Sequence, residues 1–122
     1  MRQIILLFAA LFTSAVLVAG ESPPACNLGA LTAAERRDHE ALAGKIFAAV
    51  VHRSETADGY AFKLDRARVT AAEVGQWIAL EERCCPFFDF QLQVARDNGP
   101  LTLTLGGRKG VRAFIASELA LK

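Results

Sequence analysis

Glu81-Glu82-Arg83-Cys84-Cys85-Pro86-Phe87-Phe88-Asp89-Phe90-Gln91-Leu92-Gln93-Val94 is the stretch where the apolar period changes from that of a helix to that of a strand. Upstream, Val74, Trp77 and Ile78 set a helical stripe. At 100° per residue that stripe carries Glu81 near its centre, Cys85 close behind and Cys84 at its edge. Downstream, Phe88, Phe90, Leu92 and Val94 alternate with Asp89, Gln91 and Gln93, the period of a half-buried strand. Pro86 makes the switch, because it has no N–H to donate and disfavours α geometry in the residue before it. This reading makes Cys84 the last helical residue and leaves Cys85 extended. Consecutive Cα atoms lie about 3.8 Å apart, below the roughly 4.4 Å minimum of ordinary disulfides, so a Cys84–Cys85 bridge is strained and the pair is better placed to bind something else.

The elements on either side are marked by local signals. Thr70-Ala71-Ala72-Glu73 is a capping box with Val69 and Val74 as its hydrophobic staple, and it starts the helix that ends at the cysteines. Thr32-Ala33-Ala34-Glu35 is another, and predicts a helix running to about Arg53 before the polar stretch Ser54–Gly59. On that helix Leu42, Ile46 and Val50 lie within about 60° of His39, which puts His39 on the buried stripe and His52 on the opposite, solvated side. Tyr60, Phe62 and Leu64 read as a strand, Asp97-Asn98-Gly99 as a hairpin turn, and Leu101, Leu103 and Leu105 as the returning strand. Val111, Phe114, Ile115 and Leu119 recur at helical spacing after Gly106-Gly107. The expected fold is α+β, a small two-layer domain in the order α-β-α-β-β-α. Its helices cover one face of a mainly antiparallel, three-stranded sheet.

At the N-terminus Arg2, the apolar run Ile4–Val18 and the small residues Val18-Ala19-Gly20 read as a secretory signal over residues 1–20. The apolar run is short for a membrane span and carries Thr13 and Ser14. Residues 21–30, with Ser22-Pro23-Pro24 and Gly29, then form an extended leader bearing Cys26, ahead of one domain over residues 31–122. The leader is expected to be mobile unless Cys26 is tied down. Fourteen Lys and Arg stand against thirteen Asp and Glu, and removing residues 1–20 takes away only Arg2, leaving thirteen against thirteen. A neutral chain with no basic run argues against nucleic acid as partner, because that binding requires phosphate neutralisation. The expected destination is periplasmic or secreted, a disulfide-permissive compartment in which three cysteines leave at least one without an intrachain partner.

The blocks Cys26-Asn27-Leu28-Gly29-Ala30-Leu31, Asp58-Gly59-Tyr60-Ala61-Phe62, Glu81 to Phe88 and Gly107-Arg108-Lys109-Gly110-Val111-Arg112-Ala113-Phe114 resemble a family of small bacterial proteins. That family has a Cys-Asn-Leu segment near the N-terminus and a Glu-Arg-Cys-Cys-Pro-Phe motif, and the resemblance covers about Cys26 to Leu119. It implies no defined activity and slightly favours metal handling.

Three functions fit the thiols. Cys84 and Cys85, with Cys26 and with His39 and Glu81 in reserve, can hold a soft metal or metalloid ion. The spacing lacks the paired Cys-x-x-Cys of a zinc finger, so Cu(I) or Hg²⁺ suits it better than Zn²⁺. Alternatively, Cys26 forms a structural disulfide with Cys84 or Cys85 in an interaction module whose partner is a protein. Redox catalysis is the third reading. It is disfavoured because the helix C-terminus and Glu81 and Glu82 oppose thiolate formation. Considered without a ligand, His39 is a half-buried histidine with a hydrogen-bond partner, and Glu81 a carboxylate paired with an arginine or capping a backbone group. The sequence has no phosphate loop, helical His pair or nucleophile elbow, so no catalytic residue is assigned.

Overall fold

The computed structural model of the chain describes residues 23–119. The signal read over residues 1–20 lies outside them. No helix among the described residues is long and apolar enough to cross a membrane.

Both capping boxes form. Thr32 accepts from the Glu35 N–H while the Glu35 carboxylate accepts from the Thr32 N–H, which starts α1 at Ala33–Ala48. Thr70 and Glu73 do the same for α2, Ala71–Cys84. Each exchange satisfies two N–H groups that the first helical turn leaves without partners. The first helix ends at Ala48, five residues short of the expected Arg53, and Val50–Glu55 forms a strand, β1. Val50 continues the helical stripe of Leu42 and Ile46, so the helical period ran on past the true end. The β-branched Val50-Val51 pair instead joins the edge of the sheet, where Arg53 faces Phe62 and Glu55 faces Tyr60. Thr56–Gly59 is therefore a hairpin turn. At Gly59 a Cβ would lie 1.8 Å from the Leu105 carbonyl oxygen, so only glycine fits there.

The remaining elements are β2 (Tyr60–Leu64), β3 (Phe88–Val94), β4 (Leu101–Gly107) and α3 (Val111–Glu118). The sheet has four strands in the order β1-β2-β4-β3, all antiparallel, in place of the expected three. The α+β class holds. Register aligns Tyr60, Leu105 and Phe90 in one row and Phe62, Leu103 and Leu92 in the next. Ile46 of α1, Val74 and Trp77 of α2, and Val111 and Ile115 of α3 pack with those rows into one core. Thus all three helices contribute to the apolar face, while Lys63, Asp89, Gln91 and Gln93 on the other face are exposed. Burial of so many large side chains at roughly 1.5–3 kcal/mol each is what holds the three helices on the sheet.

Candidate metal centre

The site forms where α1 crosses α2 and the leader meets the end of α2. The Thr70 box sets the register of α2, so that Val74, Trp77, Glu81 and Cys84 all fall on the buried side. On α1, His39 lies one turn after Glu35 and faces the same seam. His39 Nε2 and Glu81 Oε2 form a hydrogen-bonded pair, and the His39 ring lies nearly parallel to Trp77 with centroids 6.2 Å apart. Glu81 is thus partnered by a histidine, where the unliganded reading expected an arginine or a backbone cap.

Cys84 is the last residue of α2, as Pro86 requires, and Cys85 caps the helix with φ −128° and ψ 69°. The Cys85 N–H reaches the Glu81 carbonyl at 2.7 Å. Both cysteines are buried, and they pack with Leu31. Cys26 and Cys85 are joined as a disulfide, with Cα atoms 4.5 Å apart, and Cys84 is a free thiol. Of the two expected bridges the chain uses Cys26–Cys85.

The leader is consequently tied down. Besides the bridge, the Asn27 N–H donates to the Cys84 carbonyl at 2.7 Å, and Asn27 caps a single 3-10 turn, Leu28–Ala30, that leads to buried Leu31. Arg83 pairs with Glu35 and donates to the Ala30 carbonyl at 3.1 Å. Its hydrogen bond and the Thr32 N–H hold the Glu35 carboxyl well below the usual carboxylate range, at about 2. Sequence reasoning missed this clamp. The signal was present in Glu35, which already served α1 as its cap, and in Arg83 beside the cysteines.

The Cys84 sulfur is the hub. It lies 3.6 Å from Cys85 Sγ and 3.9 Å from both His39 Nε2 and Glu81 Oε2, and it donates to the Glu81 carbonyl at 3.5 Å. Burial, and then the negative charge of Glu81, push its thiol above the ordinary value. Two overlapping donor sets result, Cys26–Glu81–Cys85 and His39–Glu81–Cys84, each with ligand atoms within 4.8 Å of one another. All five expected ligands are brought together, and His52 stands apart on exposed β1. While the disulfide is closed, one thiol, one imidazole and one carboxylate are free to bind. Opening it releases two more sulfurs. Comparison of the chain with protein-family models, curated proteins and solved structures gave no match.

Proposed function

We propose that this chain is an exported protein that binds a soft metal or metalloid ion through Cys84 and, once the Cys26–Cys85 bridge is reduced, through all three sulfurs. The observation that carries the reading is the convergence of His39 and Glu81 on the Cys84 sulfur at 3.9 Å. A staple alone requires neither. Thiolates prefer Cu(I), Hg²⁺ and similar ions, and imidazole adds a donor that those ions and Zn²⁺ accept. An arriving cation also offsets the charge problem at Cys84, because it displaces the thiol proton and neutralises the thiolate beside Glu81. Kinship with the small bacterial proteins that share the Glu-Arg-Cys-Cys-Pro-Phe motif belongs to the same proposal.

A second reading is supported by the disulfide itself: Cys26–Cys85 fastens the leader in an interaction module. The two are compatible in structure and differ in what reduction does. Thiol redox catalysis ranks third, since a nucleophilic cysteine requires a lowered thiol and Cys84 is raised.

Anaerobic titration of the reduced protein with Cu(I), Hg²⁺ and Zn²⁺, each against a competing chelator, tests the proposal. Cu(I) and Hg²⁺ are expected to bind more tightly than Zn²⁺, and loss of Cys84 or Cys85 to do more damage than loss of Cys26. Equal binding by the parent and by the Cys84→Ser/Cys85→Ser double variant overturns the site and leaves the staple.

A further inference from the structure

Three sulfurs meet at the end of α2, and they differ in exposure. Cys26 is exposed, Cys85 is 1% exposed and Cys84 is fully buried. Burial shields the Cys84 thiol from reagents in solution, yet its sulfur lies 3.6 Å from Cys85 Sγ, one half of the Cys26–Cys85 bridge. A staple uses two cysteines, and the third, set against a bonded sulfur, has no part in it. A thiol and a disulfide in contact are the two reactants of thiol–disulfide exchange.

We propose that Cys84 is an internal exchange thiol: it attacks Cys85 Sγ, becomes bonded to Cys85, and so transfers the free thiol from the buried helix end to exposed Cys26. In this step the Cys84 S–H bond breaks, and its proton passes to Glu81 Oε2, 3.9 Å away. The Cys84–Cys85 bond forms as the Cys85–Cys26 bond breaks. The bonding pair leaves on Cys26, which takes a proton from solvent. One thiol and one disulfide stand on each side, so neither oxidant nor reductant is consumed. Direction follows from exposure. Displaced Cys26 is hydrated at the surface, whereas displaced Cys85 would be a thiolate buried within 4.8 Å of the Glu81 carboxylate. Burial and Glu81 hold the Cys84 thiol above its ordinary value, which leaves little thiolate at neutral pH. Contact offsets this, since intramolecular partners held in place reach effective molarities of roughly 10⁵–10⁸ M. Adjacent Cα atoms about 3.8 Å apart make the product the strained isomer, so Cys26–Cys85 is the resting bridge and the exchanged form is drawn out when Cys26 is captured. The exchange requires no metal ion and stands apart from the soft-metal reading. It gives the chain a surface thiol that the resting structure withholds.

Disulfide-intact protein is held in chelator with iodoacetamide at about pH 8.5, where thiolates begin to form. Acid stops the reaction, remaining thiols are blocked with a maleimide in acidic denaturant, and the chain is digested with trypsin without reduction. Cleavage after Arg36, Arg83 and Arg96 separates Cys26 from the peptide that holds Cys84 and Cys85 together. The expected product carries the acetamide label on Cys26, with the peptide of residues 84–96 lighter by two hydrogens from its internal bridge. Its rate is expected to stay level in urea below the unfolding transition, which separates exchange in the native fold from scrambling in the unfolded chain. Cys84→Ser is expected to lose Cys26 labelling, and Cys84→Ala serves where serine disturbs the fold. Four results overturn the exchange and leave metal binding untouched. They are label on Cys84 with the Cys26–Cys85 bridge intact, no label at all, a rate that climbs with urea throughout, and Cys26 labelling that survives the loss of Cys84.

Discussion

Replacing Cys26 by Ser removes the bridge without disturbing the buried pair, because Cys26 is exposed while Cys85 is 1% exposed. The loop it closes spans a sequence separation of 59. In the chain-entropy description that closure takes about 14 cal/mol/K from the unfolded ensemble, or about 4 kcal/mol at 25 °C. The native leader retains the Asn27–Cys84 hydrogen bond, the Arg83–Ala30 hydrogen bond and buried Leu31, so the loss falls mainly on the unfolded side. With a urea dependence of about 1–3 kcal/mol per molar, the midpoint is expected to fall by roughly 1.5–4 M. Urea unfolding followed by Trp77 emission and far-ultraviolet dichroism measures it. Reductant added to the parent should bring its midpoint to that of Cys26→Ser and leave the variant where it is. Cys84→Ser keeps the bridge and preserves a donor to the Glu81 carbonyl, so it should cost only about 1 kcal/mol. A midpoint drop below about 0.5 M for Cys26→Ser, at unchanged slope, would refute the bridge as a major stabiliser.

Cys84 is held above its ordinary thiol value by burial and Glu81, so alkylation by iodoacetamide should be slower than at an exposed cysteine near pH 8 and still be climbing past pH 9. The linked stability has the same sign: it is fully present below the unfolded thiol's pKa and lost as pH rises through the higher folded one, and a rate that levels off near pH 8 would contradict it. His39→Leu leaves the Glu81 carboxylate buried without its imidazole and is expected to cost roughly 1–3 kcal/mol in urea unfolding. His39→Leu/Glu81→Leu should cost less than the single change, and both should lower Hg²⁺ affinity; a double variant at least as destabilised as the single would make the pair a structural necessity.

The parts of this architecture that were legible are those whose cause is local. A capping box is four residues long, and both boxes form as written. Pro86 acts on its neighbours, and Cys84 ends α2. The stripe that carried Glu81 inward is a property of one helix, and Glu81 is buried. The errors come where one residue satisfies two periods or where the cause is remote. Val50 fitted the helical stripe, and the partner that made it a strand residue, Leu64, lies across a hairpin. An edge strand exposed along nearly its whole length has no apolar alternation to reveal it. The choice of Cys85 over Cys84 as the partner of Cys26 depends on a leader docked by Asn27, Leu31 and Arg83, contacts that no period in the sequence encodes.

The docked leader also bears on how the proposed metal site relates to stability. A helix C-terminus leaves carbonyls without partners, and here the Glu81 carbonyl takes the Cys85 N–H and the Cys84 thiol while the Cys84 carbonyl takes the Asn27 N–H. The residue before Asn27 carries the sulfur bonded to Cys85, so the bridge and the cap occupy adjacent positions of the leader. Reduction would free two sulfurs, and three further contacts of the leader lie outside the bridge. The Asn27 cap, the Arg83 hydrogen bond to Ala30 and the Leu31 packing do not involve the disulfide. The polar donors are carried by α1 and α2 and not by the leader: His39 and Glu81 meet across the helix seam. Under the proposed soft-metal reading, the atoms that staple the leader are also the ligands that reduction would release, so stability would be exchanged for binding capacity, while the His39–Glu81 pair sits beside the remaining thiol.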